Sequence, residues 1–176
     1  MLRSGGCPVF EAGMKAGGAL AYADVMLPDS LNGALAWKMI EVKSSTKVKD
    51  YHHDDIAVQA HIAMSAGIRL SSVSLAHIDN SFVYPGGGNY QGLLKEIDLT
   101  EKAVSRSNEV GEWIAAAQTV AALPEEPQVV TGPQCGTPFT CGFCKYCNRN
   151  KVWPEYPVHT LLVSWDDAKA FCQGNK

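Results

Sequence analysis

Three residues carry the first chemical signal: Asp24, and the pair Glu41 and Lys43 within Trp37-Lys38-Met39-Ile40-Glu41-Val42-Lys43. Side chains of an extended strand alternate between its faces, so Glu41 and Lys43 share one face while Ile40 and Val42 take the other. In the preceding stretch Asp24 shares a face with Tyr22 and Met26. Pairing the two stretches brings Asp24 beside Glu41 at the end of a sheet. Two carboxylates and the Val42 carbonyl then form an all-oxygen set suited to Mg²⁺ or Mn²⁺. Such an ion polarises a phosphate and lowers the pKa of bound water. Lys43 would orient or deprotonate that water, or offset charge building on the phosphate in the transition state. An E-x-K tripeptide alone is common, and a surface ion pair is its plainest reading. What adds to it is the order around it: G-x-x-x-x-A-D before a turn, then apolar-E-V-K, then a helix bearing Gln59.

The elements that must position these residues follow from pattern. Val9 to Ala12 reads as a short strand and Gly17-Gly18 as a turn. Ala19 to Leu27 and Leu35 to Val42 read as strands, with Pro28 to Gly33 supplying a turn between them. Asp50 is the expected N-cap of a helix with Ile56, Ala60 and Ala63 as its apolar stripe and Gly67 as its stop. Ile68 to Ile78 reads as a strand. Thr100 is expected to cap a long helix to Leu123, burying Val110, Trp113, Ile114, Ala117 and Val120. Ser164, with Asp167 three residues on, predicts a cap for a short helix over Trp165 to Cys172. The order β-β-β-α-β-α describes a mixed central sheet flanked by helices, an α/β or α+β sandwich. A single domain over 1–176 is expected, with a core at 7–123, a cysteine-rich appendage at 124–150 and a tail at 151–176.

A second chemical signal lies in that appendage. Cys135, Cys141, Cys144 and Cys147 are spaced C-x5-C-x2-C-x2-C. Four soft ligands so close together in a Gly/Pro-rich stretch predict a metal centre. Zinc sites commonly use two separated C-x-x-C knuckles, whereas the overlapping run is nearer to iron–sulfur ligation.

Composition is that of a folded chain, with 46% hydrophobic and 19% charged residues, rather than a disordered one. No apolar run approaches the ~20 residues that span a bilayer, and Met1 to Gly6 has no signal-peptide character. A cytoplasmic location without a membrane partner is therefore expected, with cysteines kept as thiols or ligands. The net charge of −3 neither announces nor excludes nucleic acid. Lys38, Lys43, Lys47 and Lys49 nonetheless cluster near the candidate site.

Gly18-Ala19-Leu20-Ala21-Tyr22-Ala23-Asp24, Ile40-Glu41-Val42-Lys43-Ser44-Ser45 and Asp54-Asp55-Ile56-Ala57-Val58-Gln59 resemble the RecB-type nucleases of the PD-(D/E)XK superfamily. The resemblance is nearest to the CRISPR-associated RecB-like exonucleases and to an uncharacterised bacterial group carrying the same module, and it runs from Val9 to Cys147. It implies a restriction-endonuclease-like core and metal-dependent hydrolysis of DNA, single-stranded or at duplex ends, by an exonuclease. It also implies that Asp24 and Glu41 bind the metal, Lys43 serves the attacking water, and Gln59 supports the site. Members often carry an acid or His upstream of the first strand, for which Glu11 is a candidate, and many carry Tyr where this chain has Ala63. Asp55 shares a helix face with Gln59 and is a further candidate, while His52 and His53 read as DNA-facing or solvated. The resemblance also implies a [4Fe–4S] cluster held by one upstream and three downstream cysteines. Cys135, Cys141 and Cys147 look like the downstream three, with Cys144, or less readily Cys7, as the fourth. Cys172 reads as a core residue.

Two other readings compete with an enzyme. One is a nucleic-acid-binding module of a larger machine, inactive in isolation. The other is a zinc-stabilised interaction domain with an accidental E-V-K. Phe82-Val83-Tyr84 and Tyr90 could stack on the bases of a single strand or form a small satellite core.

Overall fold

The computed structural model describes Leu2, residues 6–152 and Glu155. The chain divides into two compact units, Met1–Pro127 and Gln128–Lys176, where one domain was expected. The first unit is a five-stranded mixed sheet with flanking helices. Its strands are β1 (Val9–Ala16), β2 (Ala19–Leu31), β3 (Ala34–Lys43), β4 (Leu70–Ile78) and β5 (Leu94–Asp98), in spatial order β1-β2-β3-β4-β5.

Two tight hairpins build the first three strands. Gly17-Gly18 and Asn32-Gly33 each hold two successive residues at positive φ, the backbone of a type I′ turn, whose twist matches that of the paired strands. The turn predicted over Pro28 to Gly33 is thus only Asn32-Gly33, and β2 runs through Pro28 to Leu31. Proline is tolerated there because the β1 ladder ends at Val9–Met26, leaving β2 paired with β3 alone beyond that point.

After β3 the chain crosses over through α1 (Asp50–Ser65) and returns as β4, parallel to β3. The predicted stripe Ile56, Ala60 and Ala63 is buried, together with Ala57, Gln59 and Ile62. With Met26, Met39, Val73 and Leu75 it makes the core between helix and sheet. Lys49 rather than Asp50 takes the N-cap position, and its N–H donates to His52 Nδ1 at 3.2 Å. His52 is consequently buried against its own helix start instead of facing solvent.

Three expectations for the second half change. The edge strand β5 was not foreseen, because Leu-Lys-Glu-Ile-Asp offers only Ile97 to the interior and no apolar run. The long helix breaks at Arg106 into α2 (Thr100–Ser105) and α3 (Ser107–Ala121), with Leu99 as the first cap residue. Thr100 instead accepts the Val73 N–H through Oγ1 at 2.8 Å. Of the five residues expected to be buried, Val110 is, Ile114 packs partly, and Trp113, Ala117 and Val120 are exposed. The Arg106 guanidinium bridges Asp54 and Glu109 and lies 5.0 Å from the Trp113 ring, so polar contacts occupy that face.

In the second unit a 3₁₀ turn, Pro133–Cys135, precedes α4, a single helical turn at Cys144–Cys147. The helix expected over Trp165 to Cys172, and Cys172 itself, lie outside the described residues. Among the described residues no helix is long and apolar enough to cross a membrane.

Candidate functional site

Asp24 sits where the sheet is irregular. The β1–β2 register passes from Phe10–Val25 to Ala12–Ala23 without a Glu11–Asp24 pair, and the β2–β3 ladder begins only at Val25–Ile40. Met26 and Ala23 are both buried although three residues apart, so the strand turns its faces over at this point. Glu11 adopts φ +50°, a left-handed conformation costly for a residue with a Cβ. Freed from a regular ladder, the Asp24 carboxylate takes a backbone donor itself: Oδ2 accepts the Val42 N–H at 2.7 Å. The N–H and C=O of one strand residue leave on the same side, so the Val42 carbonyl is turned toward the same gap.

Glu41 faces α1 and is only 5% exposed. Both of its oxygens are engaged: Oε1 accepts from Lys43 Nζ at 2.6 Å and Oε2 from Gln59 Nε2 at 2.8 Å. Lys43 also pairs with Asp55, one turn of α1 before Gln59. The helix thus clamps the E-x-K strand through two polar side chains on one face. Burial pushes the Glu41 carboxyl above its ordinary range, and the Asp24 charge adds to that push, against the pull of the Lys43 and Gln59 hydrogen bonds. For Lys43 burial acts downward, but the bonds to Asp55 and Glu41 prevail and raise its pKa. The ammonium is therefore held charged, which favours a charge-stabilising or orienting role over that of a base.

The structure brings together Asp24, Glu41, Lys43, Asp55 and Gln59. Glu11 is exposed, is not paired with Asp24 in the ladder, and among the described residues makes no hydrogen bond to the group. Two buried histidines adjoin the site, His77 and His52, the latter expected to be DNA-facing or solvated. His52 lies close enough to Lys43 for that charge to help burial depress its pKa, and His77 is the ladder partner of Lys43 on β4. Only their burial marks them, and sequence pattern carries no sign of it.

In donor type the group suits a hard divalent ion, although among the described residues no three or more His, Cys, Asp or Glu side chains are gathered to hold one here. Asp24 and Glu41 offer hard oxygens, and carboxylates outnumber the single ammonium. Gln59 Oε1 is buried without a hydrogen-bond partner among the described residues, an acceptor in want of a donor such as water.

The cysteine unit differs. Cys141 N–H donates to the Cys135 carbonyl at 2.8 Å and Cys144 N–H to the Cys141 carbonyl at 3.2 Å. Asn148 Nδ2 lies 3.6 Å from Cys144 Sγ. Cys135, Cys141 and Cys144 are half-buried, Cys147 is exposed, and all are free thiols, as is exposed Cys7 of the first unit. Among the described residues no three His, Cys, Asp or Glu side chains are gathered to hold a metal ion, these four cysteines included. As they stand, the thiols do not fit a cluster.

No protein-family model and no curated protein matches the chain.

Proposed function

We propose that the chain is a divalent-metal-dependent nuclease of the PD-(D/E)XK type, hydrolysing phosphodiester bonds of DNA. One observation carries the reading: Glu41 is joined to Gln59 by a buried hydrogen bond and to Lys43 by a part-buried one, near Asp24 at the break in the β1–β2–β3 pairing. The antiparallel β1–β2–β3 followed by a helical crossover to parallel β4 is consistent with a restriction-endonuclease-like core.

Asp24, Glu41 and the Val42 carbonyl would hold Mg²⁺ or Mn²⁺, which supplies phosphate polarisation and an acidified water. Lys43, kept cationic by Asp55 and Glu41, offsets charge growing on the phosphate oxygens. Gln59 fixes the Glu41 carboxylate and thereby its free lone pairs. Asp55 fixes the reach of Lys43. The surplus of carboxylates repels the substrate until a cation is bound, so activity should depend strictly on the metal.

The cysteine unit is assigned a structural metal centre, a [4Fe–4S] cluster or zinc, on ligand type and spacing alone. Binding would have to draw Cys135, Cys141, Cys144 and Cys147 together, as metal binding coupled to folding does. This reading takes the chain as cytoplasmic, with reduced thiols. A second reading, a binding module whose cleavage needs further domains or subunits, is favoured because among the described residues no group of three or more His, Cys, Asp or Glu side chains, Asp24, Glu41 and Asp55 included, is placed to hold a metal ion.

The test is cleavage of end-labelled DNA in Mg²⁺, Mn²⁺, Ca²⁺ and chelator. Turnover is expected with Mg²⁺ or Mn²⁺ and little with Ca²⁺, whose looser coordination places water and phosphate poorly. Cleavage that persists in chelator would exclude the reading. DNA binding without cleavage in any metal would favour the module.

A further inference from the structure

The connection between β4 and β5 exposes two tyrosine rings, Tyr84 and Tyr90, that take no part in the Asp24–Glu41–Lys43–Gln59 group. It runs Ser81-Phe82-Val83-Tyr84-Pro85 and on through Gly86-Gly87-Gly88 to Tyr90. The three glycines take φ of 91°, 63° and 76°, which side chains with a Cβ adopt only under strain, and they reverse the chain. The reversal lays Tyr84 and Tyr90 against each other, with ring centroids 5.0 Å apart and planes 18° from parallel. Gly88 N–H donates to Tyr84 Oη at 2.8 Å, tying the ring down by its hydroxyl. Even so, Tyr84 is 49% exposed, Tyr90 60% and Val83 83%. A satellite core would have buried these rings. Here they are ordered and left in water.

The stem of this loop adjoins the catalytic end of the sheet. Ile78 N–H donates to the Ser45 carbonyl at 3.0 Å, and Asp79 N–H to the Leu93 carbonyl at 2.8 Å. Lys43, His77 and Lys95 are successive register partners across β3, β4 and β5. Exposed Lys47 and Lys49 lie on the connection from β3 to α1, beside Ser45. The acids near the stem are engaged: Asp79 by Ser81, and Glu96 by Lys38. Exposed aromatic rings and the exposed lysines Lys47, Lys49 and Lys95 therefore belong to one end of the sheet, with Lys49 over the Tyr51 ring and Lys95 near Asp79.

We propose that Tyr84 and Tyr90 form a platform on which bases of a single-stranded nucleic acid stack, while Lys47, Lys49 and Lys95 hold its phosphates. Single-strand binding combines these two elements, aromatic faces for bases and cations for the backbone. Because the rings already stack and one is tied to Gly88, a base adds to them at little ordering cost. The platform makes an unpaired strand, not a closed duplex, the substrate class. This rests on the nuclease reading for its purpose, although binding can be measured without it.

The experiment is fluorescence anisotropy of labelled oligothymidylate and of an abasic strand of equal length, with the full chain in chelator so that cleavage plays no part. The wild type should bind the base-bearing strand more tightly, by roughly tenfold for each ring engaged. Tyr84→Ala and Tyr90→Ala should each erase most of that difference while leaving the abasic affinity unchanged. Tyr90→Phe should keep it, and Tyr84→Phe should keep most of it, having lost only the Gly88 tether. Lys47→Ala should weaken both strands alike and flatten the salt dependence. Equal affinity for the two strands, or Ala variants with wild-type preference and unchanged melting, would overturn the platform, as would a loop that captures a protein partner but no oligonucleotide. Metal-dependent cleavage with indifferent tyrosine variants would remove the platform and leave the nuclease. Base-dependent binding without cleavage would do the reverse.

Discussion

The sheet site and the cysteine segment both concentrate metal-ligating residues, yet the fold treats them in opposite ways. At the sheet, carboxylates distant in sequence are fixed by hydrogen bonds: Asp24 by the Val42 N–H, Glu41 by Lys43 and by Gln59 from the helix. In the second unit the cysteines are neighbours in sequence, held on short backbone turns, and among the described residues neither unit gathers three or more His, Cys, Asp or Glu side chains to hold a metal ion. Hard-oxygen chemistry at the sheet needs a prepared frame, since Mg²⁺ keeps most of its waters and contributes little to folding. Thiolate centres can supply the folding energy themselves. A metal should therefore change activity in the first unit and stability in the second.

The largest effect should break the first half of this contrast. Glu41→Gln removes a charged ligand and should abolish metal-dependent cleavage while weakening Mg²⁺ binding in calorimetry. Retained affinity would remove Glu41 from the ligand set. Gln59→Ala should act more mildly on rate, because Gln59 carries no charge. It should still cost about 1–3 kcal/mol in urea denaturation, since Glu41 Oε2 loses its only neutral donor. Asp55→Asn frees the Lys43 ammonium from its second anchor and should slow cleavage roughly tenfold or more with metal affinity kept. An unchanged rate would reduce Asp55 to a surface partner.

The second half is sharpened by metal supplied to the cysteine unit. Anaerobic reconstitution with iron and sulfide, or addition of zinc, should raise the thermal stability of that unit, and Cys147→Ser should remove the gain. Absorption near ~400 nm distinguishes the cluster from zinc. A chain whose melting ignores both would have no centre there.

Acidity gives a subtler separation. The folded state holds the Glu41 proton more tightly than the unfolded chain, so this group stabilises most below its ordinary 4.5 and that contribution is lost as pH rises through the raised folded value. Metal-free wild type should therefore gain stability relative to Glu41→Gln as pH falls through that window, while Mg²⁺ affinity declines. A difference independent of pH would contradict the buried, charge-crowded carboxylate. The smallest effect concerns Glu11, whose left-handed backbone opposes Asp24. Glu11→Gly should stabilise the fold by about 1 kcal/mol in denaturant titration.

Where the sequence could be read, the signal was local and periodic. Alternation along Trp37–Lys43 put Glu41 and Lys43 on one face, and the stripe Ile56, Ala60, Ala63 placed Gln59 and Asp55 one turn apart on the helix that clamps them. Asn32-Gly33 was a hairpin signal obscured by treating Pro28 as a breaker, which holds only where a strand is paired on both sides. Strand β5 has no such pattern because its partner β4 fixes it from one side only. The break at Arg106 arises from side chains distant in sequence, Asp54 among them, and no window across α2 and α3 contains that cause. The burial of His52 and His77 was illegible for the same reason.

Under the proposed function Lys43 acts as a fixed cation in metal-dependent phosphodiester hydrolysis. Single-turnover cleavage and Mg²⁺ affinity should be measured together for wild type and Lys43→Ala, with folding checked by circular dichroism. Near-unchanged metal affinity and a cleavage rate lower by roughly 10²–10³-fold are expected. Undiminished cleavage in a folded Lys43→Ala chain would contradict that role.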